Sequence, residues 1–327
     1  MGVRGKSRTE QGAAGSPGAG RRKGAAGEAR PVAAAATISH VRSFNRTVTQ
    51  RIGALSNQFL GRRRSLGASR VLFEIGIEGI EIRELRERLA LDSGYTSRLL
   101  RVLEREGLIR VDTSKNDSRA RVVVLTASGR RELSTLNRLS DQEAASILEP
   151  LNEKQRALLA ASMETVERLL TASSVVITVE DPSSRVSGEC LSRYYRELAE
   201  RFDAGFDPAA SIPAVPGDLT PPRGYFLVAR LHGKAVGCGA LKCHPDFGEI
   251  KRMWVAPEAR GLGIARRLLS RLEAIARKRK LPVLRLETNK SLTEAQALYR
   301  NSGYREVPRF NDERYAHHWF EKRLTGE

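Results

Sequence analysis

Gly261 and Gly263 sit where a strand-like run, Glu249 to Val255, gives way to an amphipathic helix beginning near Ile264. Residues without a Cβ let a ligand come close to the backbone, and the first turn of a helix presents unpartnered N–H groups at the positive end of the dipole. The run Arg260-Gly261-Leu262-Gly263-Ile264-Ala265 is therefore either an anion cradle or a plain glycine-rich helix start, and it commits this part of the chain to strand–loop–helix layering. Its surroundings argue against two nucleotide loops. A Walker A loop ends in Gly-Lys-Ser/Thr, which is absent. A dinucleotide turn needs a third glycine where Arg266 stands, and Ala256-Pro257-Glu258-Ala259 separates strand from glycines.

With 327 residues the chain is too long for one ordinary domain, since ~100–200 residues per domain is usual. Two domains and a tail are expected. Residues 1–36 are rich in Gly, Ala, Ser, Arg and Lys and lack leucine and aromatics, so they read as a disordered basic tail. Glu28, Arg30 and Pro31 interrupt the stretch after Arg21-Arg22, and this speaks against an export signal. The net charge of +18 is spread along the chain, so charge alone locates no nucleic-acid face. Cys190, Cys238 and Cys243 form no Cys-x-x-Cys pair and no His-Glu-x-x-His occurs. Neither a disulfide framework nor a metal site is expected, and a cytoplasmic location fits best. No apolar run approaches the ~20 residues that span a bilayer, so no membrane partner is expected.

Between 37 and 173 apolar residues recur at helical spacing in Val41 to Leu60, Ala68 to Ile75 and Ile82 to Leu89. Asp92 or Ser93 caps a further helix to about Glu106, burying Leu99, Val102 and Leu103 and leaving Tyr95, Thr96, Ser97, Arg98, Arg101 and Arg105 largely to solvent. Gly107 ends it. Leu108 to Asp112, a polar turn with Lys115, Arg119 and Arg121, and Val122 to Leu125 then form a basic hairpin, and Thr126 caps the next helix. Helix, tight turn, helix and basic hairpin describe a winged helix-turn-helix, which binds double-stranded DNA with its second helix in the major groove.

This segment resembles the MarR family of bacterial transcriptional regulators. The resemblance lies in Asp117-Ser118-Arg119 followed by Val123, Leu125-Thr126 and Gly129, and in the run Ser97 to Ile109. It implies DNA contacts from Tyr95, Thr96, Ser97, Arg98 and Arg101 on the recognition helix and from Lys115, Arg119 and Arg121 on the wing. It also implies a homodimer, built by helices at about Ile38 to Leu60 and Ala127 to Leu170, on a palindromic operator.

From 174 to 327 strand and helix signals alternate, as in an α/β layer fold. A helix is expected at about Ser187 to Phe202, a loop from Gly205 to Gly224, and strands at Tyr225 to Leu231, Ala235 to Lys242 and Phe247 to Val255. The Ile264 to Lys278 helix, strand Val283 to Glu287, helix Leu292 to Asn301 and two terminal strands complete it. Here Arg-x-x-Gly-x-Ala, Glu249 to Val255, Arg285 to Asn289 and Ala295-x-x-Leu298-Tyr299-x-x-x-Gly303-Tyr304 occur in the order found in the GCN5-related N-acetyltransferase (GNAT) family, which this region resembles.

That resemblance implies acetyl-CoA as co-substrate and an amine acceptor, small molecule or peptide, that attacks directly in a ternary complex. Its cofactor contacts would come from Trp254, Val255, Arg260, Gly261, Leu262, Gly263, Ile264, Ala265, Arg266 and Asn289. Glu249 aligns with a carboxylate that takes the amine proton, and Tyr299 with a tyrosine that protonates the departing thiolate. Lys251 and Arg252 read as solvated strand residues. Tyr194, Tyr195, Phe202, the loop 207–222 and one of His317 and His318 are candidates for the acceptor pocket. A regulator whose GNAT part only senses acyl-CoA is the alternative.

Overall fold

The computed structural model describes residues 35–54, 58–113 and 120–324, and divides into two units, Met1–Leu55 and Ser56–Glu327. Most of the expected tail, Lys115 and Arg119 lie outside the described residues. In the first unit α1, Ala35–Arg51, buries no side chain and exposes Ile38, Val41 and Phe44 at helical spacing. It ends earlier than the expected Leu60 because Gly53 follows at φ +62°, a conformation that closes helices.

The second unit begins with α2, Leu66–Ile75, capped by Ser65. Next come β1, Ile80–Glu81, α3, Ile82–Leu89, and α4, Ser93–Arg105, where the Asp92 carboxylate accepts from the Tyr95 N–H. β2, Ile109–Thr113, and β3, Arg121–Leu125, pair antiparallel as the wing, with β1 on the other edge of β3. Leu72, Leu85, Leu103, Val123 and Leu136 are fully buried at the centre of this part. Fully burying such side chains contributes about 1.5–3 kcal/mol each.

The helical stretch after the wing is broken where periodicity suggests continuity. α5, Ala127–Leu148, is capped by Thr126, whose hydroxyl accepts from Gly129; α6, Glu153–Ser173, starts from a capping box of Asn152 and Gln155. Pro150 lies in the gap, where its ring and missing N–H oppose a continuous helix. α6 buries nothing and exposes Leu158, Met163, Leu169 and Leu170.

A seven-stranded sheet comes next, in the order β4-β5-β6-β7-β8-β10-β9. Its strands are β4 Val176–Glu180, β5 Gly224–Leu231, β6 Lys234–Cys243, β7 Gly248–Val255, β8 Val283–Thr288, β9 Arg305–Val307 and β10 His318–Arg323. The helices are α7 Arg185–Arg201, α8 Ile264–Lys278 and α9 Thr293–Asn301. α8 lays Leu268, Leu269, Leu272 and Ala276 on the sheet, all essentially inaccessible. Close approach is possible because β6 carries Gly239, where a Cβ would stand 2.6 Å from the Met253 sulfur. Arg267 of α8 donates to the carbonyls of Ala172 and Val175, tying this helix to the end of α6.

Two irregularities shape the sheet around β7. It pairs with β8 in parallel only at Gly248–Leu284 and Glu249–Arg285, so Ile250 onward leaves β8 and the strands splay. On its other edge Cys238 pairs with Trp254 and Ala240 with Lys251, leaving Arg252 and Met253 opposite Gly239 alone. This is a β-bulge, and Arg252 adopts φ +57° within it.

Candidate functional site

The splay opens into a cleft of about 560 Å³ lined by Trp254 and Val255 of β7, by Arg260, Gly261 and Gly263 of the loop, and by the first turn of α8. Gly261 and Gly263 stand at φ +80° and +70°, and nothing lies within 4 Å of where a Cβ would be. Their need for glycine is conformational, and the space above them is free for a ligand. Ile264, Ala265 and Arg266 complete the cradle, with Arg266 exposed and in no ion pair among the described residues. Arg260 is committed instead: it donates to Val255 O and to Glu197, which also accepts from Trp254 Nε1 at 2.9 Å. Burial works against the Glu197 carboxylate, but its bonds from Trp254, Arg260 and Arg201 hold its pKa below the ordinary value. Leu262 packs against the core and does not line the cleft.

A second, smaller pocket of about 90 Å³ lies against the first, and the two share Tyr194, Leu198, Met253, Leu292, Ala295 and Tyr299. Tyr299 is 5 % exposed. Burial raises the pKa of its hydroxyl well above the ordinary value, and the Tyr194 and Glu287 charges add to the rise. A tyrosine hydroxyl is protonated at neutral pH in any case, and burial moves this one further from ionising. Tyr194 behaves alike, with burial as the main cause. Asn289 lines this smaller pocket rather than the cleft and is engaged in holding loops, its amide donating to Tyr315 O and its oxygen accepting from Ser291 N.

Glu249 lines neither space. Its carboxylate lies 3.0 Å from Lys251 and 3.2 Å from His244. Lys251, expected on a solvated face, is buried, only 7 % exposed, and bridges Glu249 to Glu287, the latter at 2.8 Å. Burial opposes its charge, yet Glu287 and Glu249 outweigh that and raise its pKa. On Glu287 burial wins over the Lys251 charge, so that carboxyl sits above the usual carboxylate range. Glu287 faces the small pocket from β8 and Arg252 from the bulge; motif reading assigns a site role to neither. Phe202, Phe206 and Tyr315 form an aromatic wall there. Tyr195 does not line it, and neither do His317, which is exposed, and His318, which pairs with Glu306.

On the winged helix, Ser97, Arg98 and Arg101 of α4 and Arg121 of β3 are exposed, and none of the three guanidinium groups is in an ion pair among the described residues. Thr96 departs from expectation: it is 1 % exposed, and its hydroxyl donates to Asp92 O. Tyr95 is half-buried against the core, with its hydroxyl over Gly67.

Residues 191–304 match the Acetyltransferase (GNAT) family, and an IAA acetyltransferase of Azospirillum brasilense is 47 % identical over 133 residues, 40 % of this chain and 84 % of the relative. The chain belongs to the GNAT family. A Schizosaccharomyces pombe uncharacterized N-acetyltransferase is 38 % identical over 90 residues, 26 % of this chain and 54 % of that protein. A Staphylococcus aureus GNAT acetyltransferase structure superposes with a TM-score of 0.39 at 20 % identity, covering 46 % of this chain and all of that one. Residues 64–120 match the MarR family, so a winged-helix regulator segment precedes the GNAT region in one chain. The GNAT domain is an acetyl-CoA-dependent N-acetyltransferase. The cleft has room for that co-substrate: the Gly261–Gly263 turn borders open space at the start of α8, and Arg266, in no ion pair among the described residues, lines it too. No helix among the described residues is long and apolar enough to cross a membrane, and no group of His, Cys, Asp or Glu among them gathers as metal ligands.

Proposed function

We propose that this protein is a bifunctional transcriptional regulator and N-acetyltransferase, with a regulator domain ending near Ser173 and a transferase domain after it. The transferase passes an acetyl group to a primary amine by direct attack in a ternary complex. The observation that carries this reading is the shared wall: Tyr194 and Tyr299 border both the 560 Å³ cleft and the small pocket, so an acceptor and a thioester meet there. Bound acetyl-CoA supplies an activated acyl group. Tyr299 holds the proton that the departing sulfur needs. N–H groups of the splayed part of β7, around Trp254 and Val255, are free of β8 and stabilise negative charge on the acyl oxygen. Glu287 faces the acceptor and takes the ammonium proton, while Glu249 acts one ion pair behind it through Lys251. No acyl-enzyme is required, and buried Cys190 and Cys238 are bystanders. The reading is tested by thiol release from acetyl-CoA across polyamines, amino acids, aminoglycosides and lysine peptides. No release with any of them, alongside thermal protection by acetyl-CoA, would favour a pure acyl-CoA sensor.

For the regulator half, the apolar faces left exposed on α1 and α6 supply dimer-forming surface, and a two-fold dimer reads a palindromic operator. Arg98 and Arg101 on α4 and Arg121 on the wing are the contacts to DNA, with Ser97 beside them; Lys115 and Arg119 belong to the same proposal. Arg98→Ala is expected to weaken operator binding by about 1–3 kcal/mol. Gel-shift titration at several salt concentrations reads this. If Arg98 meets a phosphate, the salt slope falls by about 1; if it reads a base, sequence preference relaxes instead. Unchanged affinity and preference would remove Arg98 from the interface.

A further inference from the structure

Among the charged groups that line the small pocket, the Arg252 guanidinium alone has neither an ion pair nor a hydrogen bond among the described residues. Glu313 is buried, only 7 % exposed, and its carboxylate accepts from the Ser211 hydroxyl and from the Ile212 and Tyr315 N–H groups, tying those segments together beside the pocket. Glu287 is occupied by Lys251 and Asn311. Arg252 has no carboxylate partner among the described residues; its guanidinium lies over the Tyr195 ring at 5.2 Å. Its backbone is in the left-handed region, forced there by the bulge that takes Arg252 out of regular strand alternation. Bulges beside active sites re-aim side chains, and a non-glycine residue held at positive φ is a conformation that function commonly explains.

We propose that Arg252 binds the carboxylate of the acceptor, and that the acceptor is an amino acid with an apolar or aromatic side chain. The amine then sits at the Tyr194–Tyr299 wall beside Glu287, and the side chain packs on Phe202, Phe206 and Tyr315. An arginine fork matches a carboxylate with two parallel charge-assisted bonds, and a partly desolvated guanidinium discriminates strongly against a ligand that cannot fill it. The placement of the amine rests on the acetyl-transfer reading; the carboxylate subsite does not.

The test uses the full-length protein saturated with CoA, which carries no acetyl group to transfer, and compares L-phenylalanine with phenethylamine by calorimetry. Phenylalanine is expected to bind at least about tenfold tighter. Arg252→Gln should bring the two within about twofold of each other while leaving CoA affinity unchanged, which also checks that the variant is folded. Equal binding of the two ligands to the wild type, binding of neither, or an undiminished preference in a CoA-binding Arg252→Gln variant would each overturn the proposal. Turnover of the same two amines with acetyl-CoA is scored separately: tight phenylalanine binding without turnover would contradict the transferase reading and leave the subsite supported.

Discussion

Replacing Tyr299 with phenylalanine is expected to lower kcat by about 10²-fold or more while leaving the affinity for acetyl-CoA within about twofold. The ring is nearly inaccessible and packs edge-on against Tyr304 and at a tilt to Phe320, so phenylalanine fills the same space without a cavity. Stability should therefore hold. What is lost is a proton donor at the boundary of cleft and pocket, on a group that, like any tyrosine, is protonated at neutral pH. Removing an interaction made only as the leaving group departs lowers kcat and kcat/KM together. An unchanged kcat, with thiol release followed directly, would assign Tyr299 to the core alone.

Lys251→Met is expected to destabilise the fold by about 3–5 kcal/mol at neutral pH, because it strands two buried carboxylates that now share one ammonium. The pH dependence carries the sign. Lys251 has a raised pKa, so its contribution is present below the ordinary lysine value and is lost only as pH rises through the higher folded one. Glu287 also has a raised pKa, from burial, so its contribution is present at low pH and is lost as pH climbs through the folded value. Without the ammonium that opposes burial, Glu287 shifts further up. The deficit of the variant should thus be largest near pH 7–8 and shrink as pH falls toward 5. Denaturant unfolding of both proteins at the two pH values measures this. A deficit that stayed constant or grew on acidification would mean that the cluster is not held as an ion-paired unit.

Local rules account for part of this structure well. The limits of α8, Ile264 to Lys278, are set by the glycine pair before it and the apolar stripe within it. Thr126 as a cap is stated by its position after the Val122–Leu125 run. Lys251 escapes such rules because strand alternation assigns faces from a period of two, while the bulge at Arg252 and Met253 breaks that period and β8 brings Glu287 over the same face. Glu287 itself, at the end of a strand, carries no local sign of function; its role depends on β7 and β8 parting after two pairs. Thr96 is polar on a helix face that reads as exposed, but a hydroxyl that bonds back to Asp92 O can be buried without loss. The stop before α6 is written in Pro150 and Asn152, whose combined signal outweighs the apolar periodicity on either side.

The central claim, that a cleft built on Gly261 and Gly263 serves direct transfer across the Tyr299 wall, is tested most directly by mixing the protein with radiolabelled acetyl-CoA, first alone and then with an acceptor drawn from the amine panel. The account predicts no label retained on denatured protein in the first case, and in the second one equivalent of free thiol for each equivalent of N-acetylated amine. Label trapped covalently on the protein before any acceptor is added, or acetyl-CoA bound but never transferred to any amine, would contradict it.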